Sequence, residues 1–408
     1  MRHRVFRAFA ALFFVGLLAV SAVWAVRFAQ ADAWSGQGTV EGLRQASRIV
    51  PDDAEYRLRL ALSIADQAPA ESLALLRQIA ALSPADARIW VELGLRYESL
   101  QNYSEAEKCL LHAAEVDRQY VPRWTLANYY LRHEDTANFW RWARSCAEVI
   151  PGDPVPLFRL CGRVTEDGNL MDRLALHSAE LRSTYLAYLI ETGKLELGAR
   201  VANGLVSEGS ATAAPVLMDY CDRLLAGSRV GEAVSVWNGL SRHGLIPFAG
   251  LDPAGALVLT NGDFSKEPTS RGFDWRTPAV EGVSLLREHA SGGLRVTFSG
   301  EQPENCSPLA QTVPVEGGGR YAVDVSYRTS GIQNDAGLSW QVVPLLPAQT
   351  LQGLPIAAAE NPTWSHFQFV APSGCRGVQF ALAYHRSPGT MRIEGYVVLN
   401  EVRLRRTD

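Results

Sequence analysis

Lysine is almost missing from this chain. Of 39 basic residues, only Lys108, Lys194 and Lys266 are lysines. With the many alanines, this is the residue usage of a GC-rich bacterial genome, which speaks to origin and not to chemistry. Positive charge is not in excess either: the formal net charge is −4, so no bulk positive field draws in nucleic acid. The six cysteines, Cys109, Cys146, Cys161, Cys221, Cys306 and Cys375, form no C-x-x-C and flank no histidine at zinc-ligand spacing. They read as small buried hydrophobes. A Cys306–Cys375 bridge stays open if that region lies outside the cytoplasm.

Catalytic signatures are absent too. The chain contains no H-E-x-x-H, G-x-S-x-G or G-x-x-x-x-G-K-[ST]. His133-Glu134-Asp135 is a lone cluster in a turn, and Ser241 and His243 lack a third partner. Asp263, Asp274, Glu281 and Glu288 could in principle supply an acid pair, but nothing fixes their separation. The expectation is no enzyme, with no catalytic, cofactor or metal site.

What is present falls into three parts, as the 408 residues lead one to expect for more than one core. The first is an uncharged run of 19 residues, Ala8 to Val26, preceded by Arg2, Arg4 and Arg7. A helix needs roughly 20 apolar residues to cross the bilayer, and the arginines favour a cytoplasmic amino terminus. Residues 1–27 therefore read as a transmembrane signal anchor. A cleaved signal peptide, with Ala29-Gln30-Ala31 as its site, is the competing reading. Both export the rest, and the expected location is the bacterial inner membrane, single-pass, with the bulk in the periplasm or beyond. Residues 28–38 read as a linker.

The second part, 39–245, is helical by periodicity. Pro51, Pro84, Arg118 and Pro151 recur at spacings of 33, 34 and 33 residues, each ending an apolar-periodic helix. A fixed period of this size marks a solenoid whose hairpins bury their faces by stacking. Trp90, Leu93, Gly94, Tyr97, Ala106, Leu110 and Ala113 stand in the order W-x2-L-G-x2-Y, then A-x3-L-x2-A. This stretch resembles the tetratricopeptide repeat. The other units keep the length and lose the consensus; Trp124 restarts the pattern, but Asn128 stands where Gly94 would. About six hairpins are expected from the pattern. The resemblance implies a groove for a protein partner, with Glu92, Arg96, Asn128 and Arg132 as candidate groove residues.

After a Gly- and Pro-rich linker, 246–257, the period switches to two. LVLTNGDF, VSLLREH, GLRVTFSG, RYAVDVSYRTS, GLSWQVVPL, TWSHFQFVAP, GVQFALAYHR and RIEGYVVLNEVRLRR alternate apolar and polar residues between turn signals. Eight to ten strands over 258–408 indicate an antiparallel jelly-roll β-sandwich. The opening Asn261-Gly262-Asp263-Phe264, the segment Gly272-Phe273-Asp274-Trp275 and the closing Asn400-Glu401-Val402-Arg403-Leu404 resemble carbohydrate-binding-module and galactose-binding-like domains. That resemblance implies a possible glycan ligand. Of the available Trp275, Trp340, Trp364, Tyr384 and Arg386, the ligand-binding candidates are Trp275, Tyr384 and Arg386, with Trp275 beside a turn and nearest to exposure. The calcium ion that such modules often hold is disfavoured by Ser265 and by Asn400-Glu401 at the positions that matter.

The fold class is thus multidomain, α then β: an N-terminal transmembrane helix, a tetratricopeptide-like α-solenoid and a C-terminal jelly-roll β-sandwich. The expected function is a non-enzymatic, membrane-anchored, exported scaffold with a protein partner and a glycan, in cell-surface polysaccharide assembly or export. The alternatives are a pure protein adaptor with a structural sandwich and a glycan-active enzyme.

Overall fold

The computed structural model describes residues 2–165, 170–255, 257–288, 292–346 and 351–407, with side chains from residue 12 onward. The side chains of Arg2, Arg4 and Arg7, and His289 of an expected strand, lie outside the described residues. The chain divides into two compact units, Met1–Ala175 and Leu176–Asp408.

In the first unit, helix α1 (Arg2–Ser35) runs unbroken for 34 residues, about 51 Å at 1.5 Å per residue. Its Leu12–Ser35 stretch has a mean hydropathy of 2.1 and is long and apolar enough to cross a membrane. A signal sequence has the same property. Side chains 12–26 are exposed, whereas the last turns are docked. Ala31 is fully buried, the Tyr56 hydroxyl donates to Asp32 at 2.6 Å, and Arg27 donates to the Ile49 carbonyl at 2.5 Å. Residues 28–35, expected as part of a linker, are therefore helix, packed on α2 (Val40–Ile49) and α3 (Ala54–Ser63).

Three hairpins follow: α3 with α4 (Pro69–Leu82), α5 (Ala87–Ser99) with α6 (Tyr103–Val116), and α7 (Tyr120–Arg132) with α8 (Thr136–Ala147). The short α9 (Val155–Cys161) and α10 (Leu170–Arg173) close the unit. The punctuation is legible chemistry. Pro51 and Pro84 stop one helix, and Asp53 and Asp86, two residues on, cap the next by accepting backbone N–H bonds. Small residues recur every 33 positions where the helices of each hairpin touch: Ala61, Gly94 and Ala127. A Cβ on Gly94 would lie 2.7 Å from the Leu110 side chain. Ala127, not Asn128, takes Gly94's place in the third hairpin. The helix begins at Tyr120, one residue earlier than the Trp124 motif suggested, so Asn128 turns outward and donates to the Trp124 carbonyl at 2.9 Å. On the second helices Ser72, Ala106 and Phe139 are buried, and Ser72 donates to the Ala61 carbonyl at 2.7 Å.

The second unit begins with two more hairpins. They pair α11 (Ala179–Glu191) with α12 (Leu195–Glu208), and α13 (Ala214–Ala226) with α14 (Val230–Arg242). Here the large and small residues have changed sides. Leu186 sits on the first helix, and a Cβ on Gly198 of the second would meet Tyr220 at 2.9 Å and Leu186 at 3.2 Å.

Nine strands follow among the described residues: β1 (Val283–Arg287), β2 (Leu294–Ser299), β3 (Asn305–Pro314), β4 (Arg320–Ser330), β5 (Leu338–Pro344), β6 (Gln352–Pro355), β7 (Thr363–Val370), β8 (Gly377–His385) and β9 (Glu394–Arg406). They form two antiparallel sheets, β1-β2-β9-β4-β7 and β3-β8-β5-β6, which make a sandwich over a core that includes Trp275, Trp340, Phe380 and Tyr321. The expected first strand, LVLTNGDF, is not in a ladder. Instead the buried Gln311 amide pairs with Thr260 as a strand would, accepting from its N–H at 3.2 Å and donating to its carbonyl at 2.8 Å. The Val402 N–H reaches Gly262 at 2.7 Å. All six cysteines are free. Cys306 faces Tyr384 in the β3–β8 register, whereas Cys375 precedes Gly377 at the far end of that ladder. Nine residues along a strand is roughly 30 Å, so these two cannot bridge.

In this unit α13 is fastened to the segment before β1. Asp222 accepts from the Gly272 N–H at 2.7 Å, from Arg276 at 2.6 Å and from Arg271 at 3.2 Å, and Asp219 also pairs with Arg271. Trp237 of α14 is fully buried between Phe248 and Phe273.

Candidate functional site

Two surfaces carry the residues that sequence reasoning raised. On the repeats, helix periodicity puts Arg88, Glu92 and Leu95 on one stripe of α5, with Glu55, Arg59 and Leu62 beside them on α3. Val121, Thr125, Asn128 and Arg132 continue the face on α7. Ion pairs tie the rows: Arg88 to Glu55 at 3.4 Å, and Arg132 to Glu98 through two bonds of 2.8 and 2.7 Å. Burial alone would raise the Glu98 pKa. The Arg132 bonds and charge, with His133 at 3.1 Å, outweigh it and bring that pKa below the usual carboxylate range. Arg96 belongs to the scaffold, donating to the Ala65 carbonyl at 3.2 Å. Asn128 is half-buried and bonded within its own helix. Glu92 is half-buried, and burial raises its pKa against the opposing charge of Arg96. Leu62 is 43% exposed, so the face offers apolar contact between its charges.

On the sandwich, the structure does not gather Trp275, Tyr384 and Arg386 into a surface. Trp275, nearest to exposure among aromatics for which core packing is the leading expectation, is 0% exposed. It stacks on Phe264, and its indole N–H donates to the Asn261 carbonyl at 2.9 Å. Tyr384 is buried against Phe298. Only Arg386 reaches the surface, paired with Glu304 at 2.9 Å. Both rings are core because a two-sheet sandwich fills its interior with its largest side chains.

The motifs that carried the resemblance hold the fold together. Asn261 donates to Asp274, itself buried, which also accepts from the Thr269 N–H at 2.6 Å and hydroxyl at 2.9 Å. Burial raises the Asp274 pKa despite these bonds. Asp263 accepts from the Ser265 N–H at 3.1 Å. Glu288 is held between Arg295 at 2.5 Å and Arg328 at 3.0 Å, and Glu281 is exposed in a turn. Among the described residues no group of three His, Cys, Asp or Glu side chains could hold a metal ion.

A different sandwich surface has the right chemistry. The outer face of the five-stranded sheet presents Trp364, His366 and Gln368 from β7, Asp324 and Ser326 from β4, and Glu401, Arg403 and Arg405 from β9, aligned by register. Trp364 is 42% exposed. Its ring runs parallel to that of His366, 6° between planes and 6.4 Å between centroids, with the Arg403 guanidinium 4.9 Å from the Trp364 ring centre. His366 Nδ1 lies 2.6 Å from Asp324, which Arg405 also contacts at 3.2 Å. Arg403 grips Glu401 through bonds of 2.6 and 2.9 Å. An aromatic face ringed by planar, preorganised hydrogen-bonding groups can stack on a pyranose and bind its hydroxyls. The sequence carried the signal: in TWSHFQFV, Ser365, Phe367 and Phe369 alternate with Trp364, His366 and Gln368, so an inward Phe pair forces the Trp outward.

No protein-family model and no curated protein matches the sequence. Among solved structures, a CBM4 structure matches over 36% of this chain and 98% of its own, at 10% identity and a TM-score of 0.29. MamA matches over 36% of this chain and 88% of its own, at 16% identity and 0.31. YrrB, described as a tetratricopeptide protein with an unusual peptide-binding site, matches over 50% of this chain and 93% of its own, at 13% identity and 0.26. Each of these matches covers half of this chain or less.

Proposed function

We propose that this protein is a non-enzymatic, membrane-anchored, exported scaffold. In this reading α1 is a retained single-pass anchor in the bacterial inner membrane. The α3–α5–α7 face holds a protein partner, and the outer face of the five-stranded sheet holds a glycan. The combination suits assembly or export of a cell-surface polysaccharide. The observation that carries the glycan role is Trp364, exposed and parallel to His366 within a frame of paired Arg, Asp and Glu side chains. Retention of α1 is supported by its docked last turns, since cleavage after Ala31 removes a buried residue and the Arg27–Ile49 bond. A mature chain that starts near Asp32 by mass spectrometry would overturn retention.

The glycan test uses the full chain in detergent on an array of bacterial polysaccharides, followed by calorimetry. Wild type should bind a subset, and Trp364→Ala should weaken that binding at least tenfold with the fold intact. The burial of Trp275 and Tyr384 favours a second reading, a protein adaptor whose sandwich is structural. Absence of binding to every polysaccharide would select it.

A further inference from the structure

Every arginine near Glu92 on the repeat face is engaged elsewhere. Arg88, one turn before it, binds Asp86 at 2.7 Å and Glu55 at 3.4 Å. Arg96, one turn after it, donates to the Ala65 carbonyl. Arg59, on the neighbouring helix, binds Glu55 at 2.9 Å. Thr125, the matching residue of α7, donates to the Val121 carbonyl of its own helix. Glu92 itself has no hydrogen-bond or ion-pair partner among the described residues, although it is half-buried. A carboxylate partly removed from water and left unpaired lowers the stability of the free protein. A cation delivered by a ligand removes that cost, and does so in a setting where a pair is worth more than at an open surface. Leu62, 43% exposed, and half-buried Leu95 flank the carboxylate on the same face.

Resting on the reading of this face as a protein-binding surface, we propose that Glu92 is its specificity-determining residue. The partner segment is one that places a lysine or arginine against Glu92 and apolar side chains against Leu62 and Leu95. The surrounding charges sharpen the choice. An acidic segment meets an unpaired carboxylate among arginines that are already engaged, whereas a basic one completes an open pair.

The test probes the full chain in detergent with an array of twelve-residue peptides in which leucines flank a lysine or arginine. Matched copies carry acetyl-lysine, glutamine or glutamate at that position. The expected result is binding of basic peptides, at least tenfold weaker for the uncharged copies and for Glu92→Gln. That substitution removes an unpaired charge, so it should leave the thermal midpoint unchanged or raise it. Leu95→Asp should abolish binding of all peptides. If Leu95→Asp abolishes binding while Glu92→Gln does not alter it, the surface binds peptides and the role of Glu92 is overturned. If acidic peptides bind better than basic ones, it is overturned as well. If no peptide binds, or neither substitution matters, the protein-binding reading of the surface falls with it.

Discussion

Glu98 keeps a lowered pKa although it is half-buried, because Arg132 and His133 bind it. Trp275, Asp274 and Asn261 stood out because their spacing is unusual, and that spacing exists to close a buried hydrogen-bonded corner. Trp364 was legible only from the alternation of β7. Arg132 was raised as a groove residue and belongs to an ion pair that stitches α5 to α7. Its weight can be measured. Glu98 has its pKa lowered in the folded state, so the pair stabilises above the ordinary carboxylate pKa, near 4.3, and that gain fades as pH falls through the lower folded value. Arg132→Ala should cost about 1 kcal/mol near neutral pH. Thermal melts of variant and wild type should draw together as pH falls below the ordinary carboxylate range and meet below the lowered Glu98 value. A difference that persists there would mean that Arg132 acts by packing.

At the scale of the element, the 33-residue period was readable because each hairpin needs a stop, a cap and a close contact, and Pro, Asp and small residues supply them. The contact is more general than the motif. It is Ala61 with Ser72 in one hairpin, Gly94 with Leu110 and Ala106 in the next, and Leu186 with Gly198 further on. What recurs is a close approach of two helices made possible by a small residue on one side or the other, and a consensus that names one residue per position loses sight of it. Gly94→Ala should therefore destabilise by about 1–3 kcal/mol through overpacking on Leu110. Adding Leu110→Ala, itself costly, should give less than the sum of the two losses in chemical denaturation. Strict additivity would show that Gly94 and Leu110 do not compete for that volume. The missing first strand has an equally local cause. Gln311 replaces a neighbouring backbone with its side-chain amide, and alternation in LVLTNGDF cannot reveal a partner 51 residues away.

At the scale of the molecule, the sequence announces a change of period near residue 246, but the second compact unit reaches back to Leu176. One tie is Asp222, which binds one backbone N–H and two arginines from the segment leading into β1, and another is Trp237, buried between Phe248 and Phe273. A carboxylate on a helix gives no sign in sequence of what it will meet 50 residues later. Asp222→Ala should cost about 2 kcal/mol, the order expected when charged hydrogen bonds lose an acceptor. In denaturant, tryptophan fluorescence of the variant should show the α11–α14 helices melting before the sandwich, whereas wild type melts them together. A single unchanged transition would deny the fastening. Helix α1 carries a consequence of another kind. Because it passes from its exposed apolar length into its docked last turns without a break in the helix, a tilt of its exposed end is transmitted as a lever to the first hairpins. In the proposed anchor reading, that stiffness sets the repeats of this unit at a fixed height above the bilayer, and a partner must come to that height to be caught.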